Sequence, residues 1–362
     1  MLEALRHSLD DPIRYALPFF LLTIVIELVT LAVLGKSEGR FTARDSVTNL
    51  ATGAVALALT AVVHAVELLL YAALYVYVAP WHLPADRWET WVGAFIGVDL
   101  LWYLYHRGSH RIRVMWAAHQ VHHNSNYFNT TTAFRQKWNQ WFGILIWLPL
   151  PLLGVPPWMV LAFFSANLIY QFFTHTETVG KLPRPVEFIF NTPSHHRVHH
   201  GSDPLYLDRN YGGVFIVWDR MFGTFQGEQH RPTYGLTTPI HSNNLVRLQF
   251  HEYGAVLHDI RGAKRWRHRL GYLFGPPGWQ PTPVDWSERQ TPAWASSPKR
   301  GCGCRKGLGG GRPHQSLSTS SQPQSPRRGR SPSPVSIRRI AACSTPRKPS
   351  SMPPPRRPVV SW

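Results

Sequence analysis

Ten of the nineteen histidines in the chain fall between positions 106 and 200. They sit in "HRGSH" (His106, His110), in "HQVHH" (His119, His122, His123), in "SHHRVHH" (His195, His196, His199, His200) and, alone, in "FFTHTE" (His175). Spacings of i, i+4 and i, i+3, i+4 put each set on one face of a helix. Imidazole nitrogens suit divalent iron, zinc and copper. Eight of these histidines (His106, His110, His119, His122, His123, His196, His199 and His200) are more than one ion takes, and a closed structural zinc site needs only four ligands. The spacing therefore predicts two metal ions in a shared site, each cluster contributing to both, with His175 as a ninth ligand. His195 precedes its i, i+3, i+4 set and reads as a supporting neighbour. Asp99 lies seven residues before His106, two turns below it on the same helix face. It is expected to accept a ring N–H and fix the tautomer of a ligand, or else to pair with Arg107 or Arg113. Glu177 and Asp203 are assigned the same supporting role beside His175 and His200. No catalytic side chain is expected beyond the metal centre. His7, His64, His82, His230, His251, His258, His268 and His314 read as solitary side chains, and His241 is left open.

The elements that must carry these clusters are apolar. Residues 15–35 form a run with one acid, Glu27, long enough to cross a ~30 Å hydrocarbon layer. It is too long, and lacks the small-residue cleavage site, for a secretory signal. Runs at 50–78 and 91–105 follow. A fourth at 138–173 is broken by "PLPLLGVPP" into halves too short for a full span, which predicts a short hairpin dipping into the membrane. The 36–47 loop carries Lys36, Arg40 and Arg44, whereas 79–90 carries only Arg87, which places 36–47 and every histidine cluster on the cytoplasmic face. The expected fold class is an all-α integral membrane protein, whose transmembrane helices carry a cytoplasmic helical cap holding the dinuclear site. Its divisions are an N-terminal segment at 1–13, a membrane-embedded domain at 14–285 and a tail at 286–362. Within the domain, 14–105 are transmembrane helices, 106–137 the first two clusters, 138–173 the hairpin and 174–285 the third cluster with the cap.

Fourteen Lys and Arg and no acid lie between Gln290 and Trp362, so most of the net charge of +18 belongs to the tail and says little about the folded part. Its Pro-, Ser- and Arg-rich composition predicts disorder. Cys302, Cys304 and Cys343 all lie there, which excludes a disulfide framework and a cysteine-ligated metal from the rest.

The HxxxH, HxxHH, HxxHH pattern resembles the fatty acid hydroxylase and sterol desaturase superfamily of membrane di-iron enzymes. "HQVHHNSNYFNTTTAFRQ", "THTETVGKL", "FNTPSHHRVHHGSD" and "LDRNYGGVFIVWDRMFGTF" bring it closest to the alkylglycerol monooxygenase-like branch. The resemblance covers residues 45–240. It implies the eight cluster histidines as iron ligands, two Fe2+ ions, O2 and an external electron donor, tetrahydropterin in animal members. It also implies hydroxylation of a lipid C–H bond, and the closer branch implies an alkylglycerol ether lipid. A sterol or fatty-acyl desaturase or hydroxylase, a carotenoid hydroxylase and a non-catalytic zinc-binding membrane protein stand as alternatives. The expected partners are a lipid substrate and the membrane, with no nucleic acid. Arg135 and Gln136 are candidates for holding a lipid headgroup. Gly212 and Gly213 suggest close backbone approach beside the metals, and the basic, aromatic segment 261–279 suggests a membrane-surface element.

Overall fold

The computed structural model describes residues 12–34 and 40–281. Among these residues the chain is helical, and its only β pairing is two isolated bridges, Phe190 with Phe215 and Gly201 with Tyr234. The tail from residue 286, all three cysteines and Lys36 lie outside the described residues.

Helix α1 spans Pro12–Val33 and α2 spans Ala43–Tyr77. These two are long and apolar enough to cross a membrane. Both leave most of their apolar surface uncovered: Tyr15, Phe19, Leu22, Val25 and Val29 of α1 and Val62, Leu69 and Val76 of α2 are exposed. Water does not tolerate so continuous an apolar belt, whereas lipid does. The third apolar run lies within α3, Trp88–Arg111, which is interrupted by the buried Asp99. The fourth becomes α5, Trp141–Ile146, α6, Pro149–Leu152, and α7, Pro157–Thr174. The predicted break within "PLPLLGVPP" falls between α6 and α7, and the α5–α6 break, just before Pro149, further divides the first half. The remaining helices are α4, Arg113–His123, α8, Arg184–Ile189, α9, Pro193–His199, α10, Val217–Met221, α11, Leu245–Gly262, and α12, Trp266–Phe274.

At ~1.5 Å per residue, the 35 residues of α2 run about 52 Å, well beyond a hydrocarbon core. Its first turns are accordingly polar and buried: Asp45, Ser46, Thr48, Asn49 and Thr52 pack against a 3-10 turn, Thr130–Phe134. Arg135, just after that turn, donates to Asp45 (2.6 Å), Asn49 (2.5 Å) and Asn124 (3.2 Å). Gly53 permits the close crossing, since a Cβ there would fall 2.6 Å from the Phe134 carbonyl oxygen. Glu27 of α1 accepts the Thr130 backbone N–H (2.7 Å) and hydroxyl (2.6 Å) and the Thr176 hydroxyl. A carboxylate buried in an apolar helix is costly unless so satisfied. Glu27 and Arg135 thereby hold the 130–135 segment against α1 and the first turns of α2.

Candidate metal centre

The last turns of α3 present His106 and His110. The chain then breaks at Ile112, whose extended backbone (φ −116°, ψ 117°) turns it into α4 with His119, His122 and His123. Helix α9 starts with Pro193, whose fixed φ suits a first helical position, and Thr192 caps it reciprocally with His195. His196 and His199 lie on α9, with His200 at its end. His175 terminates α7.

These four sources converge on two foci. His106, His110, His119, His123 and His199 bring one nitrogen each within 4.8 Å of one another, and His122, His175, His196 and His200 do the same. The nine histidines singled out as ligands are these nine, all buried. The clusters share out unevenly: the first serves the five-histidine group alone, the other two serve both.

Ring tautomers are fixed from behind by backbone carbonyls. His106 Nδ1–H donates to Tyr211 (3.0 Å), His122 Nδ1–H to Arg135 (3.2 Å), His175 Nδ1–H to Gln171 (2.7 Å) and His199 Nδ1–H to Arg209 (3.0 Å). A carbonyl can only accept, so the opposite nitrogen of each neutral ring carries a lone pair. His122 Nε2 and His175 Nε2 nevertheless face each other at 3.2 Å. Two lone pairs at that distance repel unless a cation lies between them. Nε2 of His110, His199 and His200 is buried with no hydrogen-bond partner, which such a cation would also satisfy. Burial first, then neighbouring imidazoles, holds His106, His119, His123, His196, His199 and His200 well below the usual histidine range; His122 is held low by burial and His175. Burial lowers His175 to about 4. Neutral nitrogens are what metal ligation needs. The groups can bind two metal ions.

The carboxylates assigned to orient these rings do other work. Asp99 touches no imidazole. It accepts four donors, Asn167 Nδ2 (2.7 Å), the backbone N–H of Val214 (2.7 Å) and Phe215 (3.1 Å), and Trp218 Nε1 (2.8 Å). Glu177 instead binds Arg231 (2.8 Å) and the Tyr234 hydroxyl (3.0 Å), and Asp203 accepts from Thr233 (2.7 Å). His195 stands outside both groups, as its spacing suggests, but it contacts Glu187 (2.9 Å) rather than a ligand. The Arg135 guanidinium is buried against Asp45, Asn49 and Asn124 and lines a polar cavity of about 120 Å³, while its carbonyl supports His122. Gln136 does line the cavity described below.

In the segment 208–215 the sequence pointed to Gly212 and Gly213 but not to Asp208, Arg209, Asn210 or Tyr211. Asp208 (φ 58°) and Asn210 (φ 56°) adopt the left-handed conformation that Asp and Asn tolerate best, and this turns the carbonyls of Arg209 and Tyr211 onto His199 and His106. Asp219 holds the turn by accepting the N–H of Tyr211 (2.8 Å) and Gly212 (2.7 Å). Burial pushes its carboxyl up to about 6 against those hydrogen bonds. Gly213 allows the approach to Asp99, because a Cβ would lie 2.8 Å from its oxygen. The two glycines are thus needed beside Asp99 and Asp219.

A cavity of about 180 Å³ runs between α1, α2, α3 and α7 and reaches His106, His119, His122 and His175, hence both groups. Leu17, Phe20, Leu57, Phe134, Phe164 and Phe172 make most of it apolar, and His64, read from sequence as solitary, also lines it. A smaller opening of about 40 Å³ reaches His110, His123, His199 and His200 from the other side.

The fatty acid hydroxylase family model matches residues 91–224, which hold all ten clustered histidines. The chain is 37% identical over 275 residues to the alkylglycerol monooxygenase of Homo sapiens, covering 76% of this chain and 61% of that protein. It is 39% identical over 270 residues to the alkylglycerol monooxygenase of Danio rerio, covering 74% and 60%. An ornithine lipid hydroxylase of Rhizobium tropici is 28% identical over 171 residues, covering 44% and 48%. The chain spans about 60% of the length of the alkylglycerol monooxygenases it matches. No solved structure matches. The segment that carries the convergent histidines is therefore the one that is similar to fatty acid hydroxylases, over residues 91–224.

Proposed function

We propose that this chain is a membrane-embedded oxygenase that uses two iron ions and O2 to hydroxylate a C–H bond of an ether lipid, an alkylglycerol in the first instance. The observation that carries the metal reading is the facing Nε2 lone pairs of His122 and His175. The substrate reading rests on the cavity that joins both histidine groups to the apolar space between α1 and α2, together with the similarity to alkylglycerol monooxygenases. His106, His110, His119, His123 and His199 would hold one ion, and His122, His175, His196 and His200 the other.

When bound, the iron pair supplies O2 binding and the oxidising power that no side chain possesses. The residues do the rest. The carbonyls of Tyr211, Arg135, Gln171 and Arg209 keep the ligating nitrogens unprotonated and aimed inward. Phe20, Phe134 and Phe172 exclude water along the chain path. Gln136 and Lys137 line the same cavity and offer donors to a glycerol head. The net reaction places one oxygen atom on the carbon beside the ether oxygen. The other leaves as water with two electrons and two protons from an external donor. The resulting hemiacetal opens to an aldehyde and glycerol. The histidine face is assigned to the cytosol, consistent with Lys36, Arg40 and Arg44 between the first two apolar runs.

The deciding experiment is metal analysis of the purified protein, with labelled alkylglycerol, O2 and tetrahydropterin supplied. The expected result is about two irons per chain and release of labelled aldehyde. Zinc in place of iron, with no oxygen consumed on any lipid, would sink the oxygenase reading. Turnover of acyl chains or sterols but not of ethers would leave the oxygenase and remove the substrate class.

A further inference from the structure

Helix α2 carries two ionisable side chains in its apolar stretch, His64 and Glu67, one turn apart with His64 Nε2 3.9 Å from Glu67 Oε2. Both line the cavity that reaches the histidine groups. Ionisable groups inside a membrane segment are rare because of their cost, and they face cavities or partners where they do occur. Their depth follows from the helix. Gly53, which also lines the cavity, lies against Phe134 at the metal level. Fourteen residues separate it from Glu67, so the pair lies ~21 Å further along the axis. That exceeds the ~15 Å of one leaflet's hydrocarbon.

Beside Glu67 lies a small void of about 10 Å³, which shares Glu67, Trp147 and Phe164 with the cavity and is also lined by Tyr71, Val160 and Leu161. Tyr71 is itself held, its hydroxyl donating to the Ile144 carbonyl (2.8 Å). The Glu67 side chain thus stands between the cavity and this void, and no lining residue of α2 lies further along the helix than Glu67 in the cavity.

We propose that His64 and Glu67 form a polar end stop that sets the longest alkyl chain the enzyme accepts. This rests on the reading of the cavity as the lipid site. The reacting carbon lies at the histidine end, so the far end of the chain advances along α2. Each added methylene gains burial until the terminal methyl meets the pair. A longer chain must strip water from a carboxyl and an imidazole and return no hydrogen bond. A chain ending in a hydroxyl can return one, and is accepted.

The test is equilibrium binding, read by native mass spectrometry of the full chain in detergent, independent of turnover. The probes are a homologous series of saturated 1-alkylglycerols and the matching fatty alcohols. Wild-type affinity should rise about tenfold per two carbons and then drop abruptly. In Glu67→Leu and Glu67→Ala the drop should move to a chain at least two carbons longer, with affinity for the first excluded chain raised about tenfold or more. Glu67→Gln, which keeps the polarity, should retain the wild-type limit. If the apolar variants do not fold, the wild type still decides. The first excluded chain should recover at least tenfold in affinity when its end carries a hydroxyl, and no recovery overturns the end stop. An unchanged limit in Glu67→Leu also overturns it, and leaves the ether-lipid reading standing where alkylglycerols bind. A length limit seen with the alcohols alone keeps the end stop and removes the ether-lipid reading.

Discussion

A histidine becomes a ligand here through what stands behind it. His122 and His175 have opposite neighbours in sequence, one inside α4 and one ending α7, yet both donate Nδ1–H to a carbonyl and turn Nε2 inward. His195, beside His196, also sets Nδ1 against a carbonyl, that of Phe190 (3.2 Å), but its Nε2 goes to Glu187 (2.9 Å) and not to either group. The two-group geometry gives a test at this scale. His119→Ala removes a nitrogen from the five-histidine group and His196→Ala one from the four-histidine group. Each should lower iron from about two per chain to about one or fewer and abolish hydroxylation, with membrane extraction unchanged. His195→Ala should keep both irons. Full iron content in His119→Ala and His196→Ala, by elemental analysis, would refute the ligand assignment.

Elements decide how firmly those residues are held, and here the sequence was legible only in part. The apolar runs, the break within "PLPLLGVPP" and the i, i+3, i+4 faces are periodic signals, and they reappear as α1, α2, α5 to α7, α4 and α9. The ring supports are not periodic. They are backbone carbonyls, which no residue letter announces; two of the four, of Arg209 and Tyr211, are delivered by a turn whose clue was only the Asp, Asn and Gly letters of "LDRNYGG". Asp99 was read as a partner of an imidazole because helical spacing puts it beneath His106. Spacing along one helix cannot reveal that a segment over a hundred residues later brings three donors to Asp99, from Val214, Phe215 and Trp218, or that Asn167 of α7 brings a fourth. Asp99→Ala would leave those donors buried and unpaired, at roughly 3 kcal/mol or more. Through Tyr211 it would release His106, so iron affinity should fall about 10- to 100-fold. Gly213→Ala, whose Cβ would strike Asn167 and Asp99, should act in the same direction without removing a charge. Iron titration of both variants reads this, and wild-type affinity in both would show that the loop does not set the ligand.

Across the whole molecule, the segments that supply the ligands also bury them, so metal-free stability is tied to pH. In the folded state, burial holds the rings of His106, His119, His122, His123, His196, His199 and His200 well below the usual range, and His175 at about 4. In the unfolded chain the same rings titrate near ~6.5. The sign follows: above ~6.5 both states are neutral and nothing is lost. As pH falls below ~6.5 the unfolded chain takes up protons that the folded one excludes, and stability drops. One such ring loses up to ~1.4 kcal/mol per pH unit, and His175 alone roughly 3 kcal/mol by pH ~4. Several rings act together, so the metal-free protein should lose at least about 10 °C in thermal midpoint between pH ~7.5 and ~5.5. The iron-loaded protein should hold its midpoint further into acid, because ions bound to the folded state alone stabilise it by mass action. Thermal unfolding of both forms across this range, followed by helical circular dichroism, checks the expectation. A metal-free midpoint that stays flat from pH ~7.5 to ~5.5 would mean that the rings are already protonated or solvated in the fold, and that the site is not the dry, neutral nitrogen cage its geometry describes.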